Sequence, residues 1–108
     1  MALAGFDVLG QGQVASAGGD MYLVPASTEA AIKYISLLNT AGGTVNVSIY
    51  INDNSGTANK QWKQVQLTGQ YDGWEWDGSL LLGTGDRVWI KADVNNQVNY
   101  VISGTTNV

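Results

Sequence analysis

Cysteine and histidine are both absent from this 108-residue chain. Without cysteine there is no disulfide framework and no thiolate metal site. Without histidine the commonest general base and the commonest transition-metal ligand are missing. Neither a Ser-His nor a Cys-His pair can form. Charge is scarce too: 13% of residues are Asp, Glu, Lys or Arg, and the net charge is −4. Nucleic acid is a poor partner for such a chain, because phosphate binding needs a basic surface. Sparse charge favours life in an assembly over life as a free monomer. No run approaches the ~20 apolar residues of a membrane helix. Met1–Gly19 lacks the basic and apolar regions of a secretory signal. The expectation is therefore a protein soluble as made, with no membrane partner. No phosphate loop is present either: Gly10-Gln11-Gly12 and Gly83-Thr84-Gly85 are isolated pairs without the strand-loop-helix setting or the lysine.

What is present is β-pattern. At this length roughly two-thirds of the unfolded surface can be buried, which suits one domain. Residues 72–90, DGWEWDGSLLLGTGDRVWI, hold three of the four tryptophans. Trp74, Glu75, Trp76 and Asp77 alternate aromatic and acidic, the period of a strand. Asp72-Gly73 and Asp77-Gly78 read as turns on either side of it. Ser79–Leu82 reads as a short buried strand. Gly83-Thr84-Gly85-Asp86 then turns the chain into Arg87–Ala92, which puts Val88, Ile90 and Ala92 on one face and Arg87, Trp89 and Lys91 on the other. The two strands are expected to form a hairpin.

The other segments follow the same rule. Met1–Gly19, rich in Gly, Ala and Gln, reads as an N-terminal arm before a domain at 20–108. Its anchors include Phe6, Val8 and Leu9, and it is either a frayed end or an extended arm that packs on a neighbour. Asp20–Val24 is a strand closed by Pro25. Thr28–Leu38 mixes a helix-like start with β-branched residues; Ala31, Ile35 and Leu37 at even spacing decide for a strand. Asn39–Gly43 is a turn. Thr44–Asn52 alternates most cleanly, with Val45, Val47, Ile49 and Ile51 on one face. The polar segment Asp53–Asn59 faintly echoes a calcium loop but lacks the closing glutamate and flanking helices, so it reads as a solvated hairpin loop. Lys60–Leu67 is a strand in which Trp62 shares a face with Gln64 and Gln66, while Val65 and Leu67 point to the core with Lys63. Asn95-Asn96 turns into Gln97–Ser103, a last strand, and Gly104–Val108 reads as a tail. Strands at this spacing with no forced helix define an all-β fold: a single antiparallel β-sandwich, jelly-roll-like, with an extended N-terminal arm.

No catalytic constellation emerges. Glu75 and Asp77, two apart on one strand, point side by side and do not face each other across a cleft as a glycosidase pair must. Tryptophans beside carboxylates do suit sugar stacking, so Trp74, Glu75, Trp76 and Asp77 form a candidate glycan face. The structural reading is a solvated acidic face with its tryptophans in the core. Trp89 either lies across the stems of Arg87 and Lys91 or anchors an interface.

Several collinear pieces resemble a family of small β-sandwich virion proteins of tailed bacteriophages. They are Tyr22-Leu23-Val24-Pro25-Ala26, Ala31–Asn39 (AIKYISLLN), Thr44–Ile51 (TVNVSIYI), Trp74-Glu75-Trp76-Asp77-Gly78, Leu82-Gly83-Thr84-Gly85-Asp86 and Val98–Gly104 (VNYVISG). The resemblance implies a non-enzymatic capsid decoration (cement) protein, or a related head or tail component. Such a protein is oligomeric, with a trimer as the first expectation, and binds the major capsid protein or another virion protein. It is located in the virion after assembly in the host cytoplasm, with no cofactor and no metal. The interface residues expected are Phe6, Val8, Leu9, Trp62 and Trp89; the alternative is a tail or adsorption component with a carbohydrate-binding sandwich. Gly85-Asp86-Arg87-Val88-Trp89-Ile90 also resembles the corresponding strand of the C1q and tumour-necrosis-factor jelly rolls, which trimerise.

Overall fold

A computed structural model describes residues 7–52 and 60–107. Eight strands follow one another: β1 (Asp7–Gln13), β2 (Gly19–Leu23), β3 (Glu29–Asn39), β4 (Val45–Asn52), β5 (Gln61–Leu67), β6 (Gly73–Leu82), β7 (Arg87–Ala92) and β8 (Val98–Asn107). They form two antiparallel four-stranded sheets, ordered β1-β8-β3-β6 and β2-β7-β4-β5. Only β4 and β5 are joined within one sheet; the other connections cross from sheet to sheet. That winding gives each strand one inward and one outward face, the arrangement of a jelly roll. The inward side chains make one core, with Ile32, Ile35, Val45, Val47, Ile49, Val88, Ile90, Val98 and Ile102 at zero exposure. Each such burial is worth about 1.5–3 kcal/mol.

β3 is the strand on which this packing turns. Ala30 and Ile32 face inward, and so do Ile35 and Leu37. A simple alternation cannot supply both pairs. Lys33 breaks it: Ile32 pairs with Gly104 and Tyr34 with Ser103, leaving Lys33 opposite no residue of β8. On the other side, Gly78 and Ser79 lie between the partners of Ile32 and Tyr34. The Lys33 ammonium donates to Ser79 Oγ at 3.0 Å across this bulge. The even spacing expected from Ala31 therefore fails, because the bulge switches the face halfway along. Two glycines accommodate it. A methyl group at Gly104 would run into the Ala31 carbonyl, and one at Gly78 would come within 2.7 Å of the Trp76 indole.

The bulge also corrects the turn expected at Asp77-Gly78, which lies inside the continuous β6. β6 and β7 belong to different sheets, so the expected hairpin between them is a crossover. Its turn is closed by Asp86 N–H donating to the Gly83 carbonyl at 3.0 Å and Gly83 N–H donating to the Asp86 carboxylate at 2.9 Å. Gly85 takes φ +85° there and donates to the Val24 carbonyl at 3.1 Å, tying the turn to the end of β2. The expected tail is strand: β8 runs on to Asn107, with Asn107 paired to Glu29. Of the expected arm, Asp7–Gln13 is β1, hydrogen-bonded to β8, and Val14 is fully buried. Phe6 and the Asp53–Asn59 segment lie outside the described residues.

Two margins remain where the sheets meet edge to edge. At one, β1 approaches β2 so closely that a methyl group on Gly10 would sit 2.6 Å from the Met21 carbonyl. At the other, Trp62 of β5 meets Trp76 of β6 edge-to-face at 4.9 Å between ring centroids. Lys63 Nζ lies 5.1 Å from the Trp62 ring. Gly104→Ala should therefore cost more than about 3 kcal/mol, beyond the range of an ordinary surface change. Urea denaturation checks this; a midpoint equal to the parent's would show that the bulge does not need glycine there.

Candidate interaction surface

The outward face of the β1-β8-β3-β6 sheet follows from the register. Ala31 lies between Leu81 and Thr105, Tyr34 between Asp77 and Ser103, Ser36 between Glu75 and Val101, and Leu38 between Gly73 and Asn99. Val8 of β1 pairs with Ser103. The face mixes small and apolar side chains with polar ones, and carries Glu29 and Lys33 on β3 and Glu75 and Asp77 on β6. Leu81 is 78% exposed and Val8 60%, high values for branched aliphatics. Ser79–Leu82 is thus not a buried strand throughout. After the bulge, Leu80 packs against the core and Leu82 is buried, which leaves Leu81 outside. A hollow of about 280 Å³ lies beside it, lined by Glu29, Ala31, Leu81, Leu82, Thr105 and Asn107.

The residues singled out from the sequence fall as follows. Val8 is on this face. Leu9 packs against the core, and Trp62 fills the sandwich margin with Trp76. Trp89 is half-buried on the opposite sheet, edge-to-face with Tyr50 at 5.3 Å and lying over Gly18. Its neighbours are thus an aromatic ring and a glycine. The candidate glycan face is split by strand alternation: Trp74 and Trp76 pack on the core, while Glu75 and Asp77 are exposed on the other side. Leu81 was missed as a surface residue. The signal was available, since three consecutive leucines on a strand cannot share one face.

At one end of the sandwich a polar corner holds the loops. Asn39 is fully buried, and its Nδ2 donates to the carbonyls of Gly43 at 2.8 Å and Gly69 at 3.0 Å. Its Oδ1 accepts from Ala41 N–H at 2.8 Å. Asn39 N–H donates to the Asp72 carbonyl at 2.9 Å, and Tyr71 N–H donates back to the Asn39 carbonyl at 2.6 Å. Tyr71 is held at φ +67° and is largely exposed. The Asp72 carboxylate accepts from Thr68 N–H at 2.8 Å and from its hydroxyl at 3.1 Å. Those bonds favour the charged form and hold its pKa below the usual carboxylate value. Among the described residues no group of three or more Asp and Glu is placed to hold a metal ion.

No protein-family model and no curated protein matches this chain. Among solved structures it is similar to one described as "Structure of Eiger TNF from S. frugiperda", at TM-score 0.50 and 8% identity, covering 96% of this chain and 87% of that one. At this identity the likeness concerns fold alone, and it agrees with the jelly-roll order of the two sheets.

The Asp72 corner has a pH signature. A lowered folded-state pKa contributes stability above the unfolded pKa of about 4, and that contribution is lost as pH falls through the lowered value. Asp72→Asn should reduce the urea midpoint at pH 7, with the gap to the parent narrowing under acid. A gap that does not change with pH would remove the electrostatic role.

Proposed function

We propose that this chain is a non-enzymatic structural protein of a virion, a capsid decoration protein that binds a capsid lattice and its own copies. The observation that carries the self-association is the outward face of the β1-β8-β3-β6 sheet, with Leu81 exposed beside a hollow at the β6 edge and Val8 exposed at the β1 edge. Isolated exposed apolar side chains are ordinary. Here Leu81, Val8 and Leu38 share a face, and a neighbouring copy seated against it removes apolar surface from water. The virion assignment is supported by the collinear motifs between Tyr22 and Gly104. The low charge and the absence of histidine and cysteine support a binding role over a catalytic one.

The energetics suit a lattice. A stable interface hides about 800 Å² per partner. A smaller contact repeated over many sites reaches the same retention through avidity. The homo-oligomer expected is a trimer, with the major capsid protein or another virion protein as second partner. Size-exclusion chromatography with light scattering should give a mass three times that of one chain, and Leu81→Lys should shift it toward the monomer. A dissociation constant raised about tenfold or more corresponds to losing one buried leucine. A parent protein that stays monomeric and never co-sediments with particles would overturn the proposal.

A further inference from the structure

The opposite sheet carries a second surface of different chemistry. On its outward face, Tyr50 pairs with Trp89, Ser48 with Lys91 on one side and Gln64 on the other, and Asn46 with Gln66. A small trough of about 220 Å³ lies here, lined by Ser16, Asn46, Ser48, Lys91, Ala92 and Asp93. Three of its polar side chains, Asn46, Ser48 and Asp93, are held by hydrogen bonds. The Asp93 carboxylate accepts from Asn46 N–H at 3.0 Å and from Asn46 Nδ2 at 3.1 Å. Ser48 Oγ donates to Gln64 Oε1 at 2.8 Å, and Gln61 Nε2 donates to the same oxygen at 2.7 Å. Two residues along the strands, about 6.6 Å away, stands the Tyr50–Trp89 pair.

We infer that this trough is a binding site for a neutral saccharide, with a sugar ring over Asn46, Ser48, Lys91 and Asp93 and the adjacent ring against Trp89 and Tyr50. The charge of Lys91 is offset by Asp93, so the trough has no net charge to attract a phosphate backbone or a strongly acidic ligand. β7 and β4 are interior strands with both edges paired, so a peptide finds no free ladder to extend. A dense set of fixed donors and acceptors beside an aromatic pair matches a polyhydroxylated ring, which offers hydroxyls at its rim and C–H groups on its face. Holding the side chains in place beforehand lowers the ordering cost of binding. The volume lies below the range of drug-sized pockets and suits one ring. An open trough of this size binds weakly per chain, and repetition on an assembly multiplies it. The inference stands on the face opposite to the one used for self-association and does not depend on that proposal.

The test begins with the full chain on a glycan array spanning neutral hexose and N-acetylhexosamine oligosaccharides. The best-bound trisaccharide is then titrated into ¹⁵N-labelled protein. Amide shifts should cluster at Ser16, Asn46, Ser48, Lys91 and Asp93 with the Trp89 indole N–H, saturating in the millimolar range. Ser48→Ala should weaken binding about fivefold to tenfold, the effect of one hydrogen bond. Ser16→Trp, which fills the trough from a loop, should abolish it while the rest of the spectrum is retained. An array without any hit, or shifts centred on Trp62 and Trp76, would overturn the assignment.

Discussion

One irregularity in one strand decides which side chains this protein hides and which it shows. β3 lies between β8 and β6, and Lys33 interrupts its pairing with both. Because strand side chains alternate with a period of two, a single extra residue exchanges inside for outside beyond it. Ala30 and Ile32 reach the core on one side of Lys33, and Ile35 and Leu37 reach it on the other. Straightening the strand would expose one of those pairs to water. That would remove several kcal/mol of apolar burial from a fold whose whole margin is of order 5–15 kcal/mol. Gly104 and Gly78 are where they are because the backbone and the Trp76 ring leave no room for a side chain.

The two outward faces inherit their characters from this arrangement. Past the bulge β6 presents Leu81 outward, and Ala31 and Thr105 complete the same row. The result is an outward row of Leu81, Ala31 and Thr105 across three strands. The other sheet carries amide and hydroxyl side chains cross-linked to one another, ending in the Tyr50–Trp89 pair. The Trp62–Trp76 contact closes the margin between the sheets. Trp62, which read as a candidate for an outside contact, is thus occupied within the chain. Among the described residues the most exposed aliphatic side chains are Leu81 and Val8, followed by Leu23 and Leu38.

Much of the fold was legible in the sequence. Val45, Val47 and Ile49, and likewise Val88, Ile90 and Ala92, announce their strands and their buried faces by strict alternation, and the structure places them there. The two-sheet jelly roll follows from strands at short spacing with no forced helix. What escaped was non-local. Whether Gly83–Asp86 joins a hairpin or crosses between sheets depends on which partners lie on each side, and a turn sequence does not record that. Gly78 and Gly104 look like turn or tail glycines until the neighbouring backbone is in place. Gly104–Asn107 is strand because Glu29–Ile32 offers it partners 72 to 78 residues upstream. Of the exposed positions, Val8 stands on β1, a segment that read as an arm; Leu81 was hidden in a run that looked uniformly buried, and the trough at Ser48 and Asp93 draws on strands far apart in the chain.

Cross-strand nuclear Overhauser contacts on the labelled protein test the Lys33 bulge most directly. The account predicts backbone contacts linking Ile32 to Gly104 and Tyr34 to Ser103, with no residue of β8 opposite Lys33. An unbroken register, in which Lys33 has its own partner and the residues beyond it are displaced by one, would contradict it.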